Sequence, residues 1–253
     1  MQPIMFQWGS LTIHWYGALY VAGFIAATLH WTWLGKRQRF PAGFGVEMCF
    51  WVMLSSIVGG RLAYIIANLS DFIDAPLSMF RLAQGGLIFY GGLVGAALAV
   101  LLLAKLRRIP LWMLADYAIS AVPLGHGIGR IGCLLNGCCY GASSQSWWAV
   151  PLNGIKRHPV PLVEATFNLV LYVVLLKVIT SKHREGRTLA VYLMAYPAFR
   201  FVMEFLRGDA RLPGFTLNVA QEVSLLMILV GAFLWFALPP TRHYHPHGNS
   251  PGQ

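Results

Sequence analysis

The chain has 253 residues, of which 57% are hydrophobic and only 11% charged. Soluble domains carry about 25% charged residues, so a water-soluble globular domain is excluded. The net charge of +10 does not form one patch. Its basic residues recur in short clusters between apolar runs, which is a membrane-topology pattern rather than a nucleic-acid surface.

A helix that crosses a bilayer needs roughly 20 mostly apolar residues. Seven such stretches occur, near 13–34, 46–67, 87–104, 112–132, 161–180, 188–206 and 217–238. None shows the ten-residue alternation of an outer-membrane barrel, so the expected fold is an all-α membrane protein with about seven transmembrane helices. The opening "MQPIMFQWGSLTIHWYGALY" lacks a basic leader, and the first span is expected to stay in the mature protein. No internal repeat is visible.

The loops suggest the orientation. Lys36, Arg37, Arg39, Lys105, Arg107, Arg108, Lys182, Arg184, Arg187 and Arg242 fall on one side; Arg81, Lys156, Arg157, Arg207 and Arg211 fall on the other. The positive-inside rule then expects the N-terminus outside and the C-terminus in the cytoplasm. Residues 1–240 read as one polytopic domain, with a small extracytoplasmic cap over about 133–160. The tail 241–253 is polar and rich in Pro and Gly, and is expected to be a disordered cytoplasmic tail. Its His243, His245 and His247 read better as part of that tail than as a metal site.

Several charges fall inside or at the ends of these spans: Glu47, Arg61, Asp116, Arg130, Glu164, Arg200 and Glu204. Each costs at least about 2.5–3.5 kcal/mol at mid-membrane, so each needs a partner or a task. Arg200 and Glu204 are four apart and either pair with each other or serve a ligand. Arg61 and Arg130 have no acid three or four residues away. They need a partner on another element, or a bound anion. In a membrane the commonest anion is a phospholipid phosphate, and arginine suits it because it stays charged and forks onto phosphate oxygens. Arg130 lies in "GHGIGRIGCLLNGCCYG", residues 125–141. Gly127, Gly129 and Gly132 spell a dinucleotide fingerprint, but no strand precedes them, so the glycines read as sites of close helix approach.

Six motifs in order resemble the prolipoprotein diacylglyceryl transferases: "HWYGALY" (14–20), "GGRLAYI" (59–65), "QGGLIFYGGLVG" (84–95), "GRIGCLLNGCCYG" (129–141), "RHPVPLVEA" (157–165) and "AYPAFRFVMEFLR" (195–207). The resemblance runs from about residue 11 to 237. It implies a bacterial inner-membrane enzyme that moves a diacylglyceryl group from phosphatidylglycerol to the lipobox cysteine thiol of a prolipoprotein. Glycerol phosphate is released, and no metal or other cofactor is required. By the same resemblance Arg130 and Arg200 hold the phosphate. Arg61 and Arg207 are further basic positions, and Tyr16 and Tyr196 lie near the reaction centre. Glu204 orients Arg200, Asn136 and Gly141 are signature positions, and Gln221 is a weaker match in the last helix.

The sequence departs from the family pattern on the acceptor side. Tyr90 stands where many members have a histidine, the usual candidate base. A phenol titrates near 10 and a thiol near 8.5, so neutral Tyr90 is a poor base. His14 and His126 are the alternatives, each equally readable as a packing histidine. Cys133 replaces the signature asparagine, Cys138 its glutamate, and Cys139 is added. A disulfide, thiol exchange or metal binding, and plain packing all remain open for these thiols. A four-ligand zinc site is disfavoured because no second ligand pair accompanies them. Two rival functions also stay open: a paralogue that serves a different acceptor, and a lipid-binding or transport protein.

Overall fold

The structure is a computed structural model and describes residues 4–9, 11–73, 76–81, 85–152, 154–181, 184–207 and 217–238. The tail 241–253 with its three histidines, and the loop charges Lys182, Arg211 and Arg242, lie outside the described residues. Seven helices are long and apolar enough to cross a membrane: α1 (Trp15–Arg37), α2 (Phe44–Ala67), α3 (Phe89–Leu106), α4 (Leu111–Asn136), α5 (Val160–Thr180), α6 (Arg187–Arg207) and α7 (Val219–Ala237). The expected multi-pass helical fold is therefore present. Two small antiparallel hairpins, not expected from the sequence, accompany the helices: β1 (Ile4–Trp8) with β2 (Leu11–His14), and β3 (Val150–Leu152) with β4 (Ile155–Arg157).

The chain divides into two compact units, and the division passes through α1 and α4. One unit holds residues 30–118. Its main contact is α2 against α3, along a seam of small residues. A Cβ on Gly59 would strike the carbonyl of Gly91, and one on Gly95 would strike the carbonyl of Ser55. Ser55, Gly59 and Ala63 thus mesh with Gly91 and Gly95 at four-residue spacing, which lets the two backbones touch. Lipid chains are as apolar as Leu, so this close fit, rather than hydrophobic burial, holds such helices together. In α2 only Phe44, Gly45, Met48, Gly60 and Arg61 are buried; many of its large apolar side chains, such as Phe50, Leu54, Leu62 and Ile66, are exposed, as a lipid solvent requires.

The same unit explains two of the charges. Glu47 meets Arg107 at 2.6 Å. Arg61 is clasped by the connection before α3. Its Nε donates to the Met79 carbonyl at 2.8 Å, Nη2 to Ser78 at 2.8 Å, and Nη1 to Gly85 and Gly86 at 2.8 and 3.1 Å. Gly85 and Gly86 turn their carbonyls onto it through left-handed φ values of 81° and 78°, a region open to glycine at no steric cost. The rings of Tyr64 and Phe72 lie against the guanidinium. Elsewhere in this unit, Trp31 and Tyr117 bind each other reciprocally, Nε1 to carbonyl at 2.9 Å and hydroxyl to carbonyl at 2.5 Å.

The other unit holds residues 1–29 and 119–243. Here the glycines of the 125–132 stretch take up the close approaches expected of them. Gly132 lies against Tyr16 and Leu19 of α1, Gly125 against Gly23, and Gly127 against Leu169 of α5. Leu171 and Leu175 of α5 pack with Tyr192 of α6, and Gly231 of α7 sits on Leu193 and Met194 of α6.

Candidate active site

The second unit gathers its charges from four helices. On α4, Arg130 lies one turn after His126. On α5, Glu164 is 1% exposed and places Oε2 2.5 Å from Arg130 Nε. On α6, Arg200 and Glu204 form an ion pair one turn apart. On α7, Asn218 caps the helix together with Gln221, each side chain accepting from the other's backbone N–H. The Asn218 amide then donates to Glu204 Oε1 at 2.8 Å. A helix cap thus fixes the acid that fixes Arg200.

Arg130, Arg200 and Arg207 all act electrostatically on both Glu164 and Tyr196. Three cations therefore share one region with the carboxylates of Glu164 and Glu204. Both Glu164 oxygens are buried without a hydrogen bond among the described residues, so Oε2 meets Arg130 as an ion pair. The Arg130 Nε–H donates to His126 Nε2 at 3.2 Å. That bond makes Nε2 an acceptor, which assigns the imidazole proton to Nδ1. The His126 ring meets Tyr196 edge-on at 5.4 Å, and Tyr196 stacks on Tyr192. The hydrogen bond of Arg130 among the described residues uses Nε and its side chain is 18% exposed, so Nη1 and Nη2 are the nitrogens left for a ligand.

A pocket of about 700 Å³ is lined by Thr12, Ile13, His14, Tyr16, Gly17, Ala18 and Asn136. Three expected site residues, His14, Tyr16 and Asn136, are therefore neighbours. Next to Tyr16 lie Cys133, Cys138 and Cys139. The thiols are free in this structure. Cys139 follows α4, and its thiol titrates well below the ordinary value, at about 5; the Cys133 thiol bonds to it, and the cations Arg130 and Arg207 act in the same direction. Cys138 is shifted the other way, by burial first.

Other expected residues take different places. Gly141 donates its N–H to the His158 carbonyl at 2.9 Å, and a Cβ there would strike the Leu206 carbonyl. Arg61 and Tyr90 belong to the first unit. Tyr90 opens α3, is 40% exposed and packs edge-on with Phe89. In the sequence Glu164 is a charge within a span, with no partner at helical spacing. Its signal was available: an acid in one span and an unpaired Arg130 in another, each needing the other.

The family profile described as prolipoprotein diacylglyceryl transferase matches residues 3–237. The chain belongs to this family. It is 33% identical to the phosphatidylglycerol–prolipoprotein diacylglyceryl transferase of Bordetella bronchiseptica over 96% of this chain and 98% of the relative. The enzyme of the same name from Pseudoalteromonas translucida is 36% identical, covering 93% of this chain and 92% of its own length. That from Geobacter sulfurreducens is 34% identical, covering 91% and 93%. The similarity is thus nearly end to end, and it includes all seven membrane helices.

Proposed function

We propose that this multi-pass membrane protein is a transferase that moves the diacylglyceryl group of phosphatidylglycerol onto the lipobox cysteine of a prolipoprotein. Family membership supports the reaction class. The observation that carries it to this site is the Arg130–Glu164 and Arg200–Glu204 assembly, in which two guanidiniums are held by carboxylates and Arg130 has Nη1 and Nη2 left for an anion. In the reaction the thiolate sulfur forms a bond to the glyceryl carbon that carries the phosphate. The carbon–oxygen bond breaks, and glycerol phosphate leaves with the bond's electron pair. Arg130 and Arg200 suit that leaving group because fixed cations in a water-poor site stabilise charge as it develops. Glu164 and Glu204 hold the two guanidiniums in place before the lipid arrives.

The thiol proton needs an acceptor. His126 has its Nε2 lone pair engaged by Arg130, so it becomes a base only when Arg130 turns to the phosphate. His14 lies in the pocket with Tyr16 and Asn136, where an acceptor peptide can reach it. We assign the proton to His14 rather than to Tyr90. Tyr90→Phe should then lower turnover only a few-fold while His14→Ala abolishes it. A complete loss in Tyr90→Phe, measured on folded protein, reverses the assignment. The charge bias of the loops supports an inner-membrane protein with its N-terminus outside, a single domain over 1–240, and residues 133–160 as an extracytoplasmic cap.

The deciding experiment is mass spectrometry of a lipobox peptide incubated with purified protein and phosphatidylglycerol vesicles. The expected result is a diacylglyceryl increment on the cysteine and free glycerol phosphate. Phosphatidylglycerol consumed with the peptide unmodified would mean a different acceptor. Intact phosphatidylglycerol would leave lipid binding or transport as the function.

A further inference from the structure

We propose that Cys133, Cys138 and Cys139 form a binding site for one soft, thiophilic cation, with Cu(I) held by three thiolates as the best-matched occupant. The three Sγ atoms all lie within 4.8 Å of one another, and those of Cys138 and Cys139 are 3.8 Å apart. A metal–sulfur bond of about 2.3 Å separates thiolate ligands by roughly 3.8–4.0 Å. Small side-chain rotations therefore close the triangle.

The backbone builds this convergence. Asn136 ends α4 and Gly137 follows with φ 74°. The Gly137 N–H bonds to the Leu134 carbonyl at 3.2 Å and the Cys138 N–H to the Cys133 carbonyl at 3.1 Å. This is the paired-bond helix ending that a left-handed glycine permits, and it returns Cys138 to the turn that carries Cys133. Cys139 then adopts φ 61°, a left-handed conformation uncommon for a residue with a Cβ. Strained backbone of this kind tends to collect where a side chain must be held in a particular place. Cys133 is buried, Cys138 is half-buried and Cys139 is exposed, so the site has a closed floor and an open mouth.

The donor set selects the ion. Thiolates favour soft cations. The cluster holds three candidate ligands among the described residues, where a structural zinc site takes four. A disulfide would use two of the sulfurs and strand the third. Three thiolates and Cu(I) sum to a charge of −2. Arg130 lies one turn back on the same helix, and both Cys133 and Cys139 act on it electrostatically, so the guanidinium offsets that charge. A loaded site would then compete with a phosphate for Arg130.

The test is a titration of the full-length protein, purified in detergent and reduced under anaerobic conditions, with Cu(I) buffered by a chromogenic chelator. One equivalent per chain should be withheld from the chelator. Cys133→Ser, Cys138→Ser and Cys139→Ser should each weaken binding by about 100-fold, and Cys49→Ser should not. X-ray absorption at the copper edge should show three sulfur neighbours. Copper retained by the triple serine variant would place it elsewhere, for instance on the tail histidines, and overturn the proposal. So would nitrogen or oxygen in the copper shell, or two fewer titratable thiols than the chain's four in protein kept anaerobic throughout. None of these readouts depends on transferase activity. A folding control by gel filtration of each variant separates lost binding from lost structure.

Discussion

Arg61 and Arg130 are the same residue at the same apparent cost, yet their surroundings differ in kind. Arg61 spends all three of its nitrogens on backbone carbonyls and lies against two aromatic rings. Its charge is absorbed by dipoles that cannot leave. Arg130 is held at one nitrogen by a carboxylate and a histidine, and its outer edge is open. An intramembrane arginine saturated by main chain is a strut. One fixed from behind and open in front is placed for an incoming anion. The cost of burying a charge alone does not tell the two apart; the inventory of its donors does.

The sharpest way to break this contrast is to remove each guanidinium. Arg130→Ala should lower the transfer rate by about 100- to 1000-fold, or about 3–4 kcal/mol of transition-state stabilisation; because it also leaves buried Glu164 without its cation, unfolding is compared in Arg130→Ala/Glu164→Gln, where little change is expected. Near-normal turnover in folded protein would sink the role of Arg130. Arg61→Met should do the reverse. It strips the donor from four carbonyls and should destabilise the fold by about 2–3 kcal/mol or more, seen as a lower unfolding midpoint. Equal losses of activity and stability in both variants would erase the distinction.

Smaller effects test what stands behind Arg130. Glu164→Gln keeps the shape and removes the charge that holds the guanidinium. A roughly tenfold loss in turnover is expected, of the size seen when an orienting partner is removed; a rate equal to wild type would make Glu164 a packing residue only. Least in size is a reactivity change at Cys139. Because its thiol titrates at about 5, most of it is thiolate at pH 6, whereas an ordinary thiol is protonated there. Alkylation of Cys139 in chelator-treated protein should therefore hold nearly constant from pH 8 down to 6 and fall only as the pH nears 5. In Arg130→Gln the fall should begin at higher pH. A profile that drops below pH 8 in the unaltered protein contradicts the shifted thiol.

Much of this was legible in the sequence. All seven spans were placed within a few residues, because a bilayer of fixed thickness enforces long apolar runs. The glycines of 125–132 announced close helix approaches, and the structure seats Gly125 and Gly132 on α1. The partners of Arg61 were not legible, since a carbonyl clasp has no side-chain signature. Only "QGG" hinted at it, by offering two residues free to adopt positive φ. The hairpin β3–β4 was not legible, since its strands are three residues each, too short to register against the apolar background. The meeting of Arg130 with Glu164 lay between those extremes. Both charges stood out, but no spacing rule links residues on different helices.

The outward face of α2, with so few of its residues buried, has a consequence for how such a protein is supplied. The medium that solvates these helices is also, on the proposed reaction, the stock from which the donor is drawn. The substrate arrives by sideways diffusion within a sheet, so its effective concentration is a mole fraction among lipids and not an amount per litre. Diluting the donor with inert detergent at constant protein should slow the reaction even when the total quantity of donor is unchanged.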